Sequence, residues 1–172
     1  DLQKIGVVNQ TTMLASETQE ITDYLRSCYV ALYGDSNIKN HIADTRDTLC
    51  YATNDNQSAT LGLLAQDADF AVVVGGYNSS NTSHLVELLE QKFTTYYIKD
   101  TTEITPNHIQ HFNFHTKQMQ QTAHFFPSKK NVRIVLTSGA SCPDSIVENV
   151  MNKLLQMRYS EQELNTLLAN FA

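Results

Sequence analysis

Serine, threonine and asparagine residues gather after an apolar segment in the middle of the chain. The run Phe70–Val74 is followed by two glycines and five such polar residues, and then by the amphipathic segment 83–91. This order predicts a buried parallel strand, a tight turn and a helix. Ligands bind at the carboxyl ends of strands in open α/β sheets, and a helix N-terminus attracts phosphate. The turn predicts an anion site at Ser79, Ser80 and Asn81, with simple helix capping by Ser80 or Asn81 as the alternative.

A second stretch repeats the order of strand, hydroxyl-rich turn and helix. Residues 132–136 predict a buried strand, and the polar residues 137–144 follow it. Pro143 suits the first position of the next helix, with Ser141 or Cys142 near the cap. An apolar helical stripe then begins, so this stretch has the same organisation as the first.

The three cysteines are widely spaced and form no C-x-x-C pair. An odd number in a chain without a secretion signal favours reduced thiols and a cytoplasmic type of compartment. Cys50 precedes a helix predicted to be capped near Thr53, so it is either a small apolar filler or a thiolate acting as nucleophile or metal ligand. Cys28 lies on the predicted buried face of another helix, together with Ile21, Leu25 and Leu32. A core role follows for Cys28.

The remaining pattern alternates between strands and helices. Strands are predicted at 4–8, 41–43 and 94–99, and a strand or loop is predicted at 47–53. Helices are predicted from Ser16 to Gly34, within 100–106 (a short one) and from Ser160 onward. A polar turn is predicted at 9–12 and a loop at 35–40. Such alternation predicts an α/β fold, a three-layer sandwich around a mostly parallel sheet.

Residues 107–131 form the least regular part and carry four of the six histidines. His111 and His115 are four residues apart, a spacing that binds metal on a helix. No third ligand completes a known zinc pattern around them, so a solvated hairpin or insertion is the better interpretation.

Four polar turns fall at the predicted carboxyl ends of strands, at 9–12, 50–53, 78–82 and 138–141. Together they predict one pocket formed by Gln10, Thr11, Cys50, Thr53, Ser79, Ser80, Asn81 and Ser141. The chain has neither GxxxxGK[ST] nor GxGxxG, so an ordinary nucleotide site is unsupported.

The bulk composition excludes several classes of protein. A net charge of −6 without a basic cluster argues against nucleic-acid binding. No apolar run approaches the roughly 20 residues of a membrane span, and the start has no signal-peptide pattern. The chain opens at Asp1 with strand-like sequence, from which we expect it to be a piece of a longer protein.

Four segments, taken together and in order, resemble one family. They are VVNQTTML (7–14), DTLCYATNDNQSA (47–59), VVGGYNSSNTSHL (73–85) and TSGASCPDSIVENV (137–150). The chain is similar, over nearly its whole length, to the LytB/IspH family of 4-hydroxy-3-methylbut-2-enyl diphosphate reductases. The last two segments and the long insertion before residue 132 resemble the plant and cyanobacterial branch.

The resemblance implies three similar α/β domains around a central [4Fe–4S] cluster. Residues 1–40 would be the end of the second domain and 41–172 the third. The implied reaction reductively removes a hydroxyl from an allylic diphosphate, giving isopentenyl and dimethylallyl diphosphates. A ferredoxin or flavodoxin would donate electrons, in the cytoplasm, or in the plastid of a photosynthetic eukaryote.

The resemblance also implies roles for individual residues. Cys50 matches the third cluster ligand, Thr11 a threonine near the reacting hydroxyl, and Gln10 its hydrogen-bonding neighbour. The diphosphate-binding residues of the family match Ser79, Ser80, Asn81 and Ser141, and Thr53 matches a threonine of the same pocket.

Several residues of the family pattern are missing from this chain or replaced in it, and this limits the activity expected of the chain alone. The first two cluster cysteines, the family's histidines and its proton-delivering glutamate lie in segments that this chain does not contain. Asn56 stands where many relatives have arginine, and Cys142 is not counted as a ligand. With Cys50 as its single matching ligand, this chain alone is not expected to hold a stable cluster or complete the reaction. The alternative from another class is a non-catalytic phosphate-binding module.

Overall fold

The computed structural model describes residues 3–45, 50–160, 162–164 and 166, and these form two compact units. The first unit is Asp1–Gln57 and the second is Ser58–Ala172. The predicted domain division between residues 40 and 41 of a longer protein stays a prediction. No helix in the described ranges is long and apolar enough to cross a membrane.

The first unit is mainly helical in its described part. It contains α1 (Ala15–Tyr33), a single 3₁₀ turn (Asp35–Asn37), α2 (Ile38–His41) and the start of α3 (Tyr51–Leu63). The second unit contains the end of α3 and a series of alternating elements. These are β1 (Phe70–Val74), α4 (Ser80–Glu90), β2 (Thr95–Ile98), a 3₁₀ turn (Thr101–Glu103), β3 (His108–Asn113), β4 (Gln118–Ala123), β5 (Ile134–Ser138) and α5 (Asp144–Gln156).

A three-stranded parallel sheet organises the second unit, with the strand order β2-β1-β5. Every residue of the central strand β1 is buried, as expected for a parallel strand covered on both faces. Side chains alternate between the faces, so Val72 and Val74 pack with Val150 of α5, whereas Val73 packs with Leu85 of α4. The three-layer α/β sandwich predicted from the sequence is therefore confirmed.

The segment 107–131 contains an antiparallel hairpin, β3 paired with β4. The Asn113 side chain accepts hydrogen bonds from the backbone N–H groups of His115 and Thr116, and Lys117 has a φ of 58°. One residue of the hairpin, Ile109, is fully buried in the core beside the sheet. The hairpin prediction is confirmed, although one side of the hairpin packs on the body and is not solvated.

The start of the chain differs from its prediction. Instead of the strands expected at 4–8 and 41–43, the structure has a single parallel bridge between Ile5 and Ile42. The helix expected from Ser16 begins at Ala15, and the capping position, Leu14, makes no side-chain cap. Gly34 ends α1 with a φ of 79°, as predicted, because glycine adopts positive φ without a Cβ clash. The loop expected at 35–40 is helical instead.

The predicted buried face of α1 is also wrong. Ile21 is 49% exposed and Leu32 is 73% exposed, while Cys28 is half-buried. The buried residue of this helix is Tyr29. Helical periodicity identified the helix, but the face that is buried within the unit depends on what packs against it.

Other boundaries shift by one to three residues, which is the usual uncertainty at element ends. The helix α3 begins at Tyr51, α4 at Ser80 and β5 at Ile134, and Pro143 occupies the N-cap of α5 instead of its first turn. Ser160 starts a last helical segment through a capping box with Glu163. Residues 47–49 of the predicted strand or loop, and residues 167–172 of the helix predicted from Ser160 onward, lie outside the described residues.

Candidate functional site

Two polar turns leave the sheet side by side, one after β1 and one after β5. The strand ends are in register, with Val74 beside Ser138. The next residue, Gly139, donates its N–H to the Val74 carbonyl oxygen at 3.0 Å. The first turn, 75–79, and the second turn, 139–143, therefore begin at adjacent points on the carboxyl edge of the sheet.

Ser79 caps helix α4 at the end of the first turn. Its Oγ accepts a hydrogen bond from the Thr82 N–H at 3.2 Å, and its carbonyl oxygen accepts one from the Ser83 N–H. The predicted alternative, capping by Ser80 or Asn81, is wrong because both residues lie inside the helix. The Ser79 hydroxyl still has its own hydrogen to donate. Ser80 is exposed in the first turn of the helix, where N–H groups lack partners within the helix.

Asn81 joins the two turns and leaves one donor unused. Its side chain is buried (4% exposed), and Oδ1 accepts a hydrogen bond from the Ala140 N–H at 3.0 Å. The backbone donor fixes the orientation of the amide, since only Oδ1 accepts. Nδ2 then points into buried space with no hydrogen-bond partner among the described residues. A buried donor of this kind is costly unless an acceptor reaches it.

Thr82 packs the start of α4 tightly against both turns. It is fully buried, and a Cβ added to Gly75 would lie 2.7 Å from Thr82 Oγ1. A Cβ added to Gly139 would overlap the same hydroxyl. Both glycines are needed here because the helix approaches the backbone of the turns too closely for a side chain.

Ser141 lies exposed in the second turn. This turn is closed by a hydrogen bond from the Cys142 N–H to the Gly139 carbonyl oxygen at 2.8 Å. The Cys142 thiol is half-buried beside the Pro143 carbonyl oxygen, and its pKa is raised by burial and by the charge of Asp144. These surroundings disfavour the thiolate form of the free thiol.

The other predicted site residues lie in the first unit. Gln10 and Thr11 are exposed in a turn closed by the Met13 N–H and the Gln10 carbonyl oxygen at 3.0 Å. Cys50 is exposed and directly precedes α3, where its carbonyl oxygen accepts the Asn54 N–H. Thr53 is buried in the first turn of the same helix.

Gln57 is a residue that sequence reasoning missed. It is buried, its Nε2 donates to the Met13 carbonyl oxygen at 2.9 Å, and its Oε1 accepts from the Ala15 N–H at 3.3 Å. It thereby ties the turn carrying Thr11 to helix α3. No signal could have revealed it, because Gln57 sits in a run of polar residues and its partners are more than forty positions away.

The structure thus assembles two sets of predicted site residues, one in each unit. Ser79, Ser80, Asn81 and Ser141 lie on the paired turns of the second unit, whereas Gln10, Thr11, Cys50 and Thr53 belong to the first. The convergence of both sets on a single pocket stays a prediction.

Metal-binding residues were tested against the donor chemistry of an iron–sulfur cluster. Cys50 is exposed at a helix start, which suits a single thiolate ligand. No group of three or more His, Cys, Asp or Glu side chains able to hold a metal occurs in the described part of the chain. Cys50 is the one described residue that matches a cluster ligand of the family, and a complete cluster needs further ligands.

The hairpin histidines are directed to separate partners. His111 is half-buried and its Nε2 lies 3.0 Å from Thr122 Oγ1, while His115 Nε2 lies 2.8 Å from a Glu90 carboxylate oxygen. Burial lowers the pKa of His111, although the charges of Glu103 and Glu90 oppose part of that change. These contacts give both histidines structural partners within the second unit.

Fold and turns together define an α/β protein whose strand ends present hydroxyl and amide groups suited to an anion. The family model described as LytB protein matches residues 1–155, and the chain belongs to this family. The resemblance identified from the four sequence segments is thereby confirmed.

Curated relatives carry the name 4-hydroxy-3-methylbut-2-enyl diphosphate reductase. One from Rippkaea orientalis is 38% identical over 166 residues, covering 96% of this chain and 41% of the relative. One from Thermosynechococcus vestitus is 39% identical over 160 residues, covering 92% and 39%. The chain therefore spans about two fifths of the length of these relatives, and both are cyanobacterial, as the resemblance implied.

Solved structures support the fold. The chain is similar to the E-1-hydroxy-2-methyl-but-2-enyl-4-diphosphate reductase from Plasmodium falciparum, with a TM-score of 0.59, 23% identity, and coverage of 87% of this chain and 38% of that one. A second reductase, described as the terminal enzyme of the non-mevalonate pathway, gives a TM-score of 0.50 at 24% identity over 90% of this chain and 44% of that one.

Proposed function

We propose that this chain supplies the diphosphate-binding turns and one cluster thiolate of a 4-hydroxy-3-methylbut-2-enyl diphosphate reductase. The observation that carries the proposal is the buried, unpartnered Nδ2 of Asn81 at the junction of the two turns. A buried N–H donor at a helix start matches a phosphate oxygen in both geometry and charge.

The paired turns offer several donors to one diphosphate. The Ser79, Ser80 and Ser141 hydroxyls each have a hydrogen to donate, and the Asn81 amide adds another. Hydrogen bonds to a charged acceptor contribute about 1.5–3 kcal/mol each. The positive end of the α4 dipole adds to this attraction. Diphosphate affinity is therefore expected to depend on several neutral donors acting together.

The first-unit residues take the other roles in the proposal. Thr11 would hydrogen-bond the substrate hydroxyl that is removed, with Gln10 beside it, and Thr53 would belong to the same polar pocket. Cys50 would be one of three thiolates holding a [4Fe–4S] cluster, whose other ligands lie in segments beyond this chain. The cluster, when bound, supplies the electrons that a ferredoxin or flavodoxin delivers to it. The protein orients the substrate and excludes water from the reacting carbon.

The binding part of the proposal is tested with Asn81→Asp on this chain, using inorganic diphosphate and titration calorimetry. The carboxylate keeps the acceptor for the Ala140 N–H but replaces the Nδ2 donor by a negative charge. We expect a loss of at least about ten-fold in affinity, because a charged hydrogen bond is lost and repulsion is added. Asn78→Asp is the matched control, since the exposed Asn78 places the same charge in the same turn. Equal losses in the two variants would contradict a specific role for Asn81.

The redox part is tested on the longest natural protein that contains this chain, compared with the chain itself. After anaerobic reconstitution, we measure the iron and sulfide content and the absorption at about 400 nm. We expect the longer protein to bind a cluster, to lose it when Cys50 is changed to Ser, and this chain alone to bind none. A cluster that persists without the Cys50 thiol would exclude this residue as a ligand.

A non-catalytic phosphate-binding module is the second candidate. The observation that favours it is that the described residues provide both turns, joined through Asn81, but no group of three or more His, Cys, Asp or Glu side chains close together. This candidate predicts diphosphate binding by this chain, together with no cluster in the longer protein.

A further inference from the structure

We propose that Tyr97, braced by the hairpin, is a positioning residue that sets the first turn of the diphosphate site. This inference rests on the proposed function and assigns a role to the segment 107–131. Its basis is a chain of contacts from Phe112 through Tyr77 and Tyr97 to the Gly76 carbonyl group and Ser79.

The first contact in the chain is made at Gly76. The Tyr97 side chain is buried (1% exposed), and its hydroxyl donates a hydrogen bond to the Gly76 carbonyl oxygen at 2.5 Å. The same carbonyl oxygen accepts the N–H of Ser79 at 2.9 Å. One acceptor thus links the tyrosine to the residue that caps α4, so the position of Ser79 depends on where Tyr97 holds the carbonyl group.

Burial keeps the tyrosine in the form that donates. Burial raises the pKa of Tyr97, and the neighbouring Ser83 and Thr82 hydroxyls offset part of that change. The hydroxyl is therefore protonated at neutral pH. A carbonyl oxygen requires a donor, so the neutral phenol is the form that this contact needs.

The second set of contacts braces the two tyrosines from the hairpin. Tyr77 stacks on Phe112 of β3, with ring centroids 4.6 Å apart and an interplanar angle of 22°. It also meets Tyr97 edge to face at 5.3 Å, and Phe112 contacts Tyr97 at 5.9 Å. Aromatic pairs in such arrangements stabilise beyond simple burial. The three rings form one cluster, so the hairpin fixes the residue that directly follows Gly76.

The third contact anchors the Tyr77 hydroxyl. It donates a hydrogen bond to a carboxylate oxygen of Glu103, whose other oxygen accepts the Lys99 N–H at 2.6 Å. Burial and the Glu103 carboxylate both raise the pKa of Tyr77, so this hydroxyl also stays protonated. The turn is consequently held from β2 by Tyr97 and from beyond β2 by Glu103 and Phe112.

Tyr97→Phe tests the inference because it removes the hydroxyl and keeps the ring cluster. Tyr96→Phe is the matched control, since Tyr96 is the preceding residue of β2 and is buried in the core on the opposite face of the sheet. In calorimetry with inorganic diphosphate on this chain, we expect Tyr97→Phe to bind about three- to ten-fold more weakly, on the scale of one hydrogen bond. Tyr96→Phe should bind like the wild type.

Two readouts separate positioning from a general loss of stability. Amide hydrogen exchange at Ser79 should accelerate in Tyr97→Phe and stay unchanged in Tyr96→Phe. In the longest natural protein that contains this chain, Tyr97→Phe should raise KM for the diphosphate substrate more than it lowers kcat, because the contact acts on binding.

The hairpin contribution is tested with Phe112→Ala and its conservative counterpart Phe112→Tyr. The alanine variant should lose affinity for inorganic diphosphate, and the tyrosine variant should retain it by keeping a ring against Tyr77. Wild-type affinity in both Tyr97→Phe and Phe112→Ala would overturn the inference and leave the proposed function intact. If the wild-type chain does not bind inorganic diphosphate, the proposed binding function and this inference both fail.

Discussion

The two polar turns at the carboxyl edge of the sheet are built very differently. The first turn is held by the Ser79 cap, by the packing of Thr82 against Gly75, and by Tyr97. The second turn also packs on Thr82, at Gly139, and is tied to the first through Asn81, but its serine, Ser141, is exposed. The comparison teaches that the site is preorganised on one side, so most of the binding free energy should come from the first turn.

The largest expected effect comes from adding a side-chain atom at Gly139, where Thr82 of helix α4 lies close to the second turn. Gly139→Ala should destabilise the chain by about 1–3 kcal/mol, because the added Cβ overlaps the Thr82 hydroxyl and overpacks a buried contact. Urea unfolding followed by circular dichroism measures the change. Gly62→Ala is the control, since a Cβ at this helical glycine meets nothing within 4 Å and should stabilise slightly. Similar behaviour of the two variants would contradict the close approach of α4.

A smaller effect is expected from removing the donors of the first turn. The double variant Ser79→Ala with Asn81→Ala should weaken diphosphate binding by about ten-fold or more, since at least one charged hydrogen bond is lost. Titration calorimetry with inorganic diphosphate on this chain gives the affinity. An unchanged affinity would remove both residues from the site.

The second turn should contribute less. Ser141→Ala is expected to weaken inorganic diphosphate binding by only about two- to three-fold, because an exposed hydroxyl exchanges a hydrogen bond to water for one to phosphate. The same titration, run beside the double variant, measures the ratio of the two effects. A loss at Ser141 as large as that of the double variant would reverse the comparison between the turns.

The smallest effect concerns pH and the hairpin that braces the first turn. Burial lowers the pKa of His111 in the folded chain, so the unfolded chain binds more protons at this residue. Stability should therefore fall as the pH drops through the unperturbed histidine value of about 6.5, and be fully present above it. His111→Gln should reduce the difference between the unfolding midpoints at pH 7.5 and pH 5.5. An unchanged difference in His111→Gln would contradict this dependence on His111.

The sequence was informative where a local pattern decides the structure. The apolar run of β1, with its glycines and hydroxyls, predicted both the strand and the turn, because a buried parallel strand leaves a continuous signal. It did not predict the contact between Asn81 and Ala140, which are 59 positions apart. The fit of Thr82 against two glycines was equally invisible, since it depends on how closely a helix approaches the sheet.

Helix α1 of the first unit shows what apolar periodicity does not predict. The apolar spacing in α1 correctly predicted a helix ending at Gly34, but it assigned Ile21 and Leu32 to a buried face. Apolar residues at helical spacing predict that a helix forms. Burial of one face of that helix also requires another element whose surface packs against it. In the second unit, where the sheet supplies that surface, Val150 and Leu154 of α5 are buried.

The hydrogen bonds to the Gly76 carbonyl oxygen affect how fast a ligand can bind at the first turn. It accepts two hydrogen bonds, from Tyr97 and from Ser79, so rotating the peptide unit between Gly76 and Tyr77 would break both at once. The loss of two bonds, about 1–3 kcal/mol, makes the flipped peptide a rare state. A ligand arriving at the first turn therefore meets a backbone already in its working orientation, and diffusion with desolvation, instead of a backbone rearrangement, should limit the rate of capture.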